Sequence, residues 1–169
     1  WQEGSERGVI SRNVLRRGES LTHGNELLAA LFDGYDQHRG GVVPGYTVEA
    51  ALAALDSYAP TPEFDVPPEA GAGFQFVGYL ILDALVNNTD RHHSNWAVVR
   101  APDGGVHLSP SFDHASSLGF SERLHKKQRR LDAGSVADWL DKGRTKFDGA
   151  PSPMRVAVDA VATLDQRER

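Results

Sequence analysis

Residues 87–95, Asn-Asn-Thr-Asp-Arg-His-His-Ser-Asn or "NNTDRHHSN", are all polar and sit between the apolar runs "FVGYLILDALV" (76–86) and "WAVV" (96–99). The stretch has no glycine or proline, the residues that punctuate most loops. One reading is an ordinary surface turn, for which Asn and Asp suffice because they cap and tolerate left-handed backbone. The other is a loop that carries chemistry. The segments on either side decide between them.

Upstream, residues 74–86 form the most apolar part of the chain. Phe76, Val77, Leu80, Ile81, Ala84 and Leu85 cover a wide arc at helical spacing, which predicts a central buried helix. Downstream, Trp96 to Arg100 alternates, Pro102-Asp103-Gly104-Gly105 is a strong turn signal, and Val106 to Leu108 returns, which predicts a β-hairpin. "SPSFDHASSLGF" (109–120) follows as irregular chain. A hairpin brings its two ends together. Asn95, at its start, and Asp113, just past its return strand, are therefore expected to be neighbours, with Asp90 beside them. That offers one carboxylate for proton transfer and an Asn/Asp oxygen pair for a hard cation. Mg²⁺ prefers such oxygens and fills its remaining positions with water and phosphate. An aspartate that takes a hydroxyl proton, an asparagine five residues on and a later aspartate on the metal is the arrangement of phosphoryl transfer in protein kinases.

"DRHHSN" (90–95) resembles the D-R-H-x-x-N loop of phosphatidylinositol-type kinases. "LVNNTDRHHSNWAVV" (85–99) followed by "LSPSFDHASSLG" (108–119) resembles the C-terminal domain of HipA-like kinases, in the phosphatidylinositol kinase-like and protein kinase-like superfamily. The resemblance is strongest from Phe74 to Gly119, and "HGNELLAALF" (23–32) extends it. It implies an α+β, mostly α-helical fold: a protein-kinase-like C-terminal lobe whose small hairpin carries the catalytic and metal-binding loops. Residue by residue, it implies Asp90 as catalytic base, Arg91 as an orienting residue and His92 as a structural or phosphate-neighbouring one. Asn95 and Asp113 are the implied Mg²⁺ ligands. ATP is implied as phosphoryl donor, and a protein serine or threonine, rather than a lipid, as acceptor. Asp113 is followed here by His-Ala where protein kinases carry Phe-Gly.

The sequence departs from a complete kinase upstream. Residues 1–73 hold no G-x-G-x-x-G, no G-x-x-x-x-G-K-[ST] and no lysine, the first being Lys126. The chain opens on Trp1, and its only methionine is Met154. The expectation is a C-terminal lobe belonging to a longer kinase, working with an N-terminal lobe or a partner chain that grips the nucleotide. The alternative is a non-catalytic, pseudokinase-like binding module.

The remaining segments suggest one unit over 1–169: an N-terminal arm (1–20), a helical part (21–88), the catalytic loop, hairpin and metal loop (89–119), and a basic segment with C-terminal helices (120–169). Val9, Ile10, Val14 and Leu15 are expected in a short strand or docked arm. A helix is expected over 22–32, with Thr22 or Asn25 as N-cap and Leu27, Leu28, Leu31 and Phe32 on one face. Another is expected over 47–58, capped by Thr47, with Val48, Ala51, Leu52 and Leu55 as its stripe. Ser135 with Asp138 reads as a capping box before a short helix ending near Gly143. Pro151 or Pro153 opens a last helix to about Leu164.

Composition narrows the function classes. A net charge of -5 over 169 residues argues against a generic nucleic-acid binder. With no cysteine, disulfides, thiolate metal sites and cysteine nucleophiles are excluded; that suits the reducing cytoplasm, the expected location. No apolar run approaches the roughly eighteen residues of a membrane span. Arg123, Lys126, Lys127, Arg129 and Arg130 form either a solvated face or a surface that docks an acidic or phosphorylated substrate. His92, His93, His107 and His114 raise a His/Asp metallohydrolase as a further alternative. Their spacing fits no zinc pattern, and adjacent histidines do not readily face one metal. Trp1, Trp96 and Trp139 read as packing residues.

Overall fold

Trp96 is the point where helices and sheet meet. Its ring is fully buried against Phe76, with centroids 5.1 Å apart, and its indole N–H donates to the Tyr46 hydroxyl at 3.1 Å. The computed structural model describes residues 2–3, 6–7, 11–67 and 70–167. In chain order the elements are β1 (Gln2–Glu3), β2 (Glu6–Arg7), β3 (Ser20–His23), α1 (Gly24–Leu31), α2 (Val48–Leu55), α3 (Ala72–Val86), β4 (Ala97–Arg100), β5 (Val106–Leu108), α4 (Leu124–Asp132), α5 (Val136–Asp141) and α6 (Pro153–Arg167). The architecture is α+β and mostly helical. β1 and β2 pair with each other, and a three-stranded antiparallel sheet runs in the order β3–β4–β5.

The hairpin forms where its turn chemistry predicts. Val98 pairs with Leu108, Val99 with His107 and Arg100 with Val106, and the ladder continues as Ser109 N–H to Ala97 O at 2.9 Å. Gly104 supplies the left-handed residue of the turn at φ 89°. Ala97, Val98 and Val99 are all buried on β4, the central strand of the sheet. α2 starts at its expected cap, the Thr47 hydroxyl accepting from the Ala50 N–H. α3 packs along α6 and α2. One contiguous core runs from Leu28 through Tyr46, Leu52, Phe76, Leu80 and Val98 to Phe147 and Ala160. No helix among the described residues is long and apolar enough to cross a membrane.

Several expectations need correction. Thr22 lies in β3, paired with Val98, and is not a helix cap. His23 holds the N-cap position of α1, its backbone N–H donating to Glu26 Oε1 at 3.0 Å, while Asn25 sends its amide to the Gln37 carbonyl. The third strand is therefore Ser20–His23. Val14 and Leu15 are irregular and half-buried, and Val9, Ile10 and Trp1 lie outside the described residues. The arc predicted for α3 is too wide. Phe76, Val77, Leu80 and Ala84 are buried, whereas Ile81 and Leu85 turn outward at 41% and 67% exposure. The basic segment is itself a helix, α4, with no buried residue, so it has no apolar stripe for periodicity to find. Ser135 caps nothing: its hydroxyl and N–H both turn back to the Arg130 carbonyl that α4 leaves open at its C-terminus. α6 opens at Pro153, as one of the two expected prolines.

Gly24 shows how tightly the sheet and α1 are fitted. Its N–H donates to Trp96 O at 2.9 Å. A Cβ there would overlap the Trp96 ring and come within 2.6 Å of the His93 carbonyl. Gly24→Ala is expected to cost at least the 1–3 kcal/mol that is typical of core overpacking, roughly, read as a lower urea midpoint. An unchanged midpoint would mean that the Trp96 ring is not seated on α1.

Candidate active site

The polar loop begins at the end of α3, where Asn87 takes left-handed backbone at φ 49° and ends the helix. The loop then spends its side chains on its own backbone. Asn88 Oδ1 accepts from the Asp90 N–H at 3.1 Å, and its Nδ2 donates to Asp83 Oδ1 at 2.9 Å. His92 Nδ1 accepts from the Ser94 N–H at 3.2 Å. Asn95 Nδ2 donates to the Asp90 carbonyl at 2.8 Å. Arg91, His93 and Asn95 are buried, while Asp90, His92 and Ser94 between them are half-exposed. The loop thus turns alternate residues inward and outward without a glycine.

Arg91 anchors the assembly. Its guanidinium and the Asp83 carboxylate are each 3% exposed and pair in a fork, Nε to Oδ2 at 2.6 Å and Nη2 to Oδ1 at 2.9 Å. Nη1 donates to the Asn95 and Phe112 carbonyls, and Nη2 also to Ser111 Oγ at 3.0 Å. All five N–H donors of the guanidinium are used. One side chain therefore ties α3, the polar loop, the start of β4 and the residue before Asp113. Below it, the Tyr46 hydroxyl donates to the Arg91 carbonyl at 3.2 Å.

Asp90 and Asn95 are joined directly through the amide-to-carbonyl bond. Asp113 follows Phe112, which Arg91 holds to Asn95, and its charge is felt at His92 together with that of Asp90. With Asn95 Nδ2 engaged, Oδ1 is the side-chain oxygen left over. It accepts no hydrogen bond, yet it is absent from the buried unpaired atoms among the described residues, so it reaches solvent. Asp113 is exposed, has left-handed backbone at φ 56°, and makes no side-chain hydrogen bond or ion pair among the described residues. The Oδ1 of the buried Asn95 and the carboxylate of the exposed Asp113 are hard oxygens of the kind Mg²⁺ takes. No group of three or more His, Cys, Asp or Glu able to hold a metal occurs among the described residues. The adjacent rings of His92 and His93 stand 6.3 Å apart at 78°, so a zinc site has no donor set there.

Burial lowers the pKa of both histidines against opposing carboxylates: Asp90 and Asp113 for His92, Asp36 for His93. Lys146 and Arg91 add to the lowering at His92, and His92 adds to it at His93. Since His92 Nδ1 accepts a hydrogen bond, its proton sits on Nε2. His93 Nδ1 and the Tyr35 hydroxyl share a hydrogen bond at 2.7 Å, and burial pushes that phenol up to about 12.

A pocket of about 740 Å³ opens on the other side of Asp90, lined by residues including Phe120, Trp139, Lys142, Arg144 and Lys146. Lys146 Nζ lies 3.2 Å from Asp90 Oδ1. Of the predicted docking run, only Arg130 lines this pocket, where it pairs with Glu122 and lies over the Trp139 ring. Lys126 and Arg129, again with Arg130, edge a separate depression of about 290 Å³, and Arg123 and Lys127 line neither. Asp83, Asn88, Tyr46 and Lys146 were not singled out in the sequence. Asp83 did leave a signal: it is the only charge in an apolar helix, and a buried charge needs a partner.

The fold is kinase-like. It is similar to the crystal structure of the Helicobacter pylori proinflammatory kinase CtkA, with a TM-score of 0.51 and 18% sequence identity, over 78% of this chain and 46% of that one. The chain thus spans about half the length of that kinase. At this identity the likeness is one of fold. No protein-family model and no curated protein matches the sequence.

Two outcomes follow from the loop's construction. Arg91→Ala strands a buried carboxylate and should cost about 3–5 kcal/mol in chemical denaturation. Arg91→Lys should not restore this, because an ammonium cannot fork; a loss under about 1 kcal/mol would show that the network does not hold the loop. For the histidines, folded pKa values lie below the ordinary 6.5. The unfolded chain binds their protons first, so their stabilising contribution is complete above that value and is lost as pH falls through the folded pKa. Thermal midpoints should therefore fall on acidification through this window, and His93→Gln should flatten the slope. An unchanged slope would assign the pH dependence to other groups.

Proposed function

We propose that this chain is the catalytic lobe of a HipA-like, ATP- and Mg²⁺-dependent phosphotransferase that acts on protein serine or threonine hydroxyls. The observation that carries the reading is the Asn95 amide. Its nitrogen is fixed on the Asp90 backbone carbonyl, which ties the residue of the candidate base, whose half-exposed carboxylate pairs only with Lys146 among the described residues, to the residue that offers a metal-ligand oxygen. The kinase-like fold and the sequence resemblance around residues 74–119 support it as well. The nucleotide is gripped from above by an N-terminal lobe or partner chain, and the setting is cytoplasmic.

In this reading Asp90 accepts the acceptor's hydroxyl proton as its oxygen forms a bond to the γ-phosphorus. The bond from that phosphorus to the β–γ bridging oxygen breaks, and ADP leaves with the electron pair. Asn95 Oδ1 and the Asp113 carboxylate would hold Mg²⁺, which when bound neutralises phosphate charge. Arg91 is a positioning residue, because it is buried and touches only protein groups. His92, neutral and facing Asp90 and Asp113, shapes the floor between base and metal ligands.

Asp90→Asn should lower transfer from labelled ATP to a serine peptide by about 10²–10⁴-fold, the usual worth of a general base, with the melting curve unchanged. Asp113→Asn keeps a residue that tolerates left-handed backbone and should raise the Mg²⁺ concentration needed for activity. Transfer at wild-type rate by the Asp90→Asn/Asp113→Asn variant would sink the reading. Mg²⁺-ATP binding without any transfer would favour the binding module instead.

A further inference from the structure

Lys142, Arg144 and Lys146 alternate along one segment, and all three line the pocket beside Asp90. Lys142 ends α5 in helical backbone and residues 143–145 are irregular, so the turn after α5 brings the three side chains to one pocket. The segment is fixed at both ends. Gly143 is buried against Asn87, where a Cβ would overlap the amide, so only glycine fits between the first two cations. Phe147 is buried and stacks on Tyr46 with centroids 4.2 Å apart, and Tyr46 in turn holds the Arg91 carbonyl. The cationic strip is therefore registered against the catalytic loop from behind.

The charges in the pocket do not cancel. Arg130 pairs with Glu122 and Lys146 with Asp90. The side chains of Lys142 and Arg144 make no hydrogen bond or ion pair among the described residues, and of the acidic residues lining the pocket only Asp138 is left to stand against them. Phe120 and Trp139 give the pocket apolar walls, and its volume of about 740 Å³ falls in the range of ligand sites.

We propose that the strip Lys142–Gly143–Arg144–Thr145–Lys146 is an anion-binding subsite of the acceptor pocket, selecting a serine or threonine segment with acidic residues beside the hydroxyl that meets Asp90. This rests on the phosphotransfer reading for the role of Asp90, but the subsite itself is read by binding alone. The expected partner is an acidic peptide segment, because the two unpaired cations Lys142 and Arg144 share a pocket with Asp90 and with the apolar walls of Phe120 and Trp139.

The test uses the purified protein without nucleotide and two fluorescein-labelled peptides, one with a serine flanked by glutamates and one flanked by glutamines. The glutamate peptide should bind more tightly, with an affinity that falls as salt rises. Lys142→Glu/Arg144→Glu should weaken it roughly tenfold, by losing two exposed attractions and adding two repulsions. Both residues are exposed, so the fold is not at risk. Arg123→Glu/Lys127→Glu, at the N-cap and in the body of α4 and outside the pocket, is the control and should change little. The proposal is overturned if neither peptide binds, if both bind alike, or if the control weakens binding as much as the pocket variant. Acidic-peptide binding through Lys142 and Arg144 with no phosphate transfer would leave the subsite standing and remove the phosphotransfer reading.

Discussion

The buried Asp83–Arg91 pair is the constraint from which the rest of the site follows. A guanidinium and a carboxylate, each 3% exposed, sit at the C-terminal end of the helix that is otherwise the most apolar in the chain. Burying two charges is costly, and a well-packed apolar pair can match it in stability. What the ion pair supplies instead is position. Five directed donors reach four residues, Asp83, Asn95, Ser111 and Phe112, so α3, the loop and the segment before Asp113 share one origin. A hydrophobic contact has no comparable directionality. This is why a loop of polar residues can lie between two buried elements: its inward-facing members satisfy backbone and charge, and its outward-facing members stay free.

The same logic explains how the loop manages without glycine. Left-handed backbone is needed at Asn87 and at Asp113, and those two residue types tolerate it at low cost. Asn88, His92 and Asn95 bond neighbouring loop backbone. After that accounting, the side-chain oxygens not used by the loop are those of Asp90, which pairs only with Lys146 among the described residues, Asn95 Oδ1 and Asp113. The residues free for chemistry are therefore those the architecture does not consume.

Sequence patterns revealed the parts that depend on local physics. The hairpin announces itself through Pro102 to Gly105, α2 through Thr47 and its apolar stripe, and the juxtaposition of residues 95 and 113 follows from the hairpin. β3 was missed because four residues pairing with a strand some 75 positions away carry no local signal that outweighs the adjacent helix pattern. α4 was missed because, with no buried face, it offers no apolar period. Ile81 and Leu85 misled for the opposite reason, being apolar yet outside the packed arc. At the site, Tyr46 and Lys146 reach the loop only through tertiary contacts, so their place could not be read from spacing. Asp83 could have been, since an isolated charge among Leu, Ile and Val implies a buried partner.

The bulk charge also conceals the local one. A chain at -5 still presents two cations unpaired among the described residues, Lys142 and Arg144, in the pocket where Lys146 pairs with Asp90. The pair Lys146–Asp90 is about one-third exposed on both sides, and such pairs contribute roughly 0–1 kcal/mol. A contact that weak orients the carboxylate without locking it. In the proposed reaction a proton arriving on Asp90 cancels the attraction and releases the Lys146 ammonium beside an acceptor that has just gained a phosphate. The base and the strip then act in sequence: the carboxylate holds the lysine before transfer, and the new anion draws it afterwards.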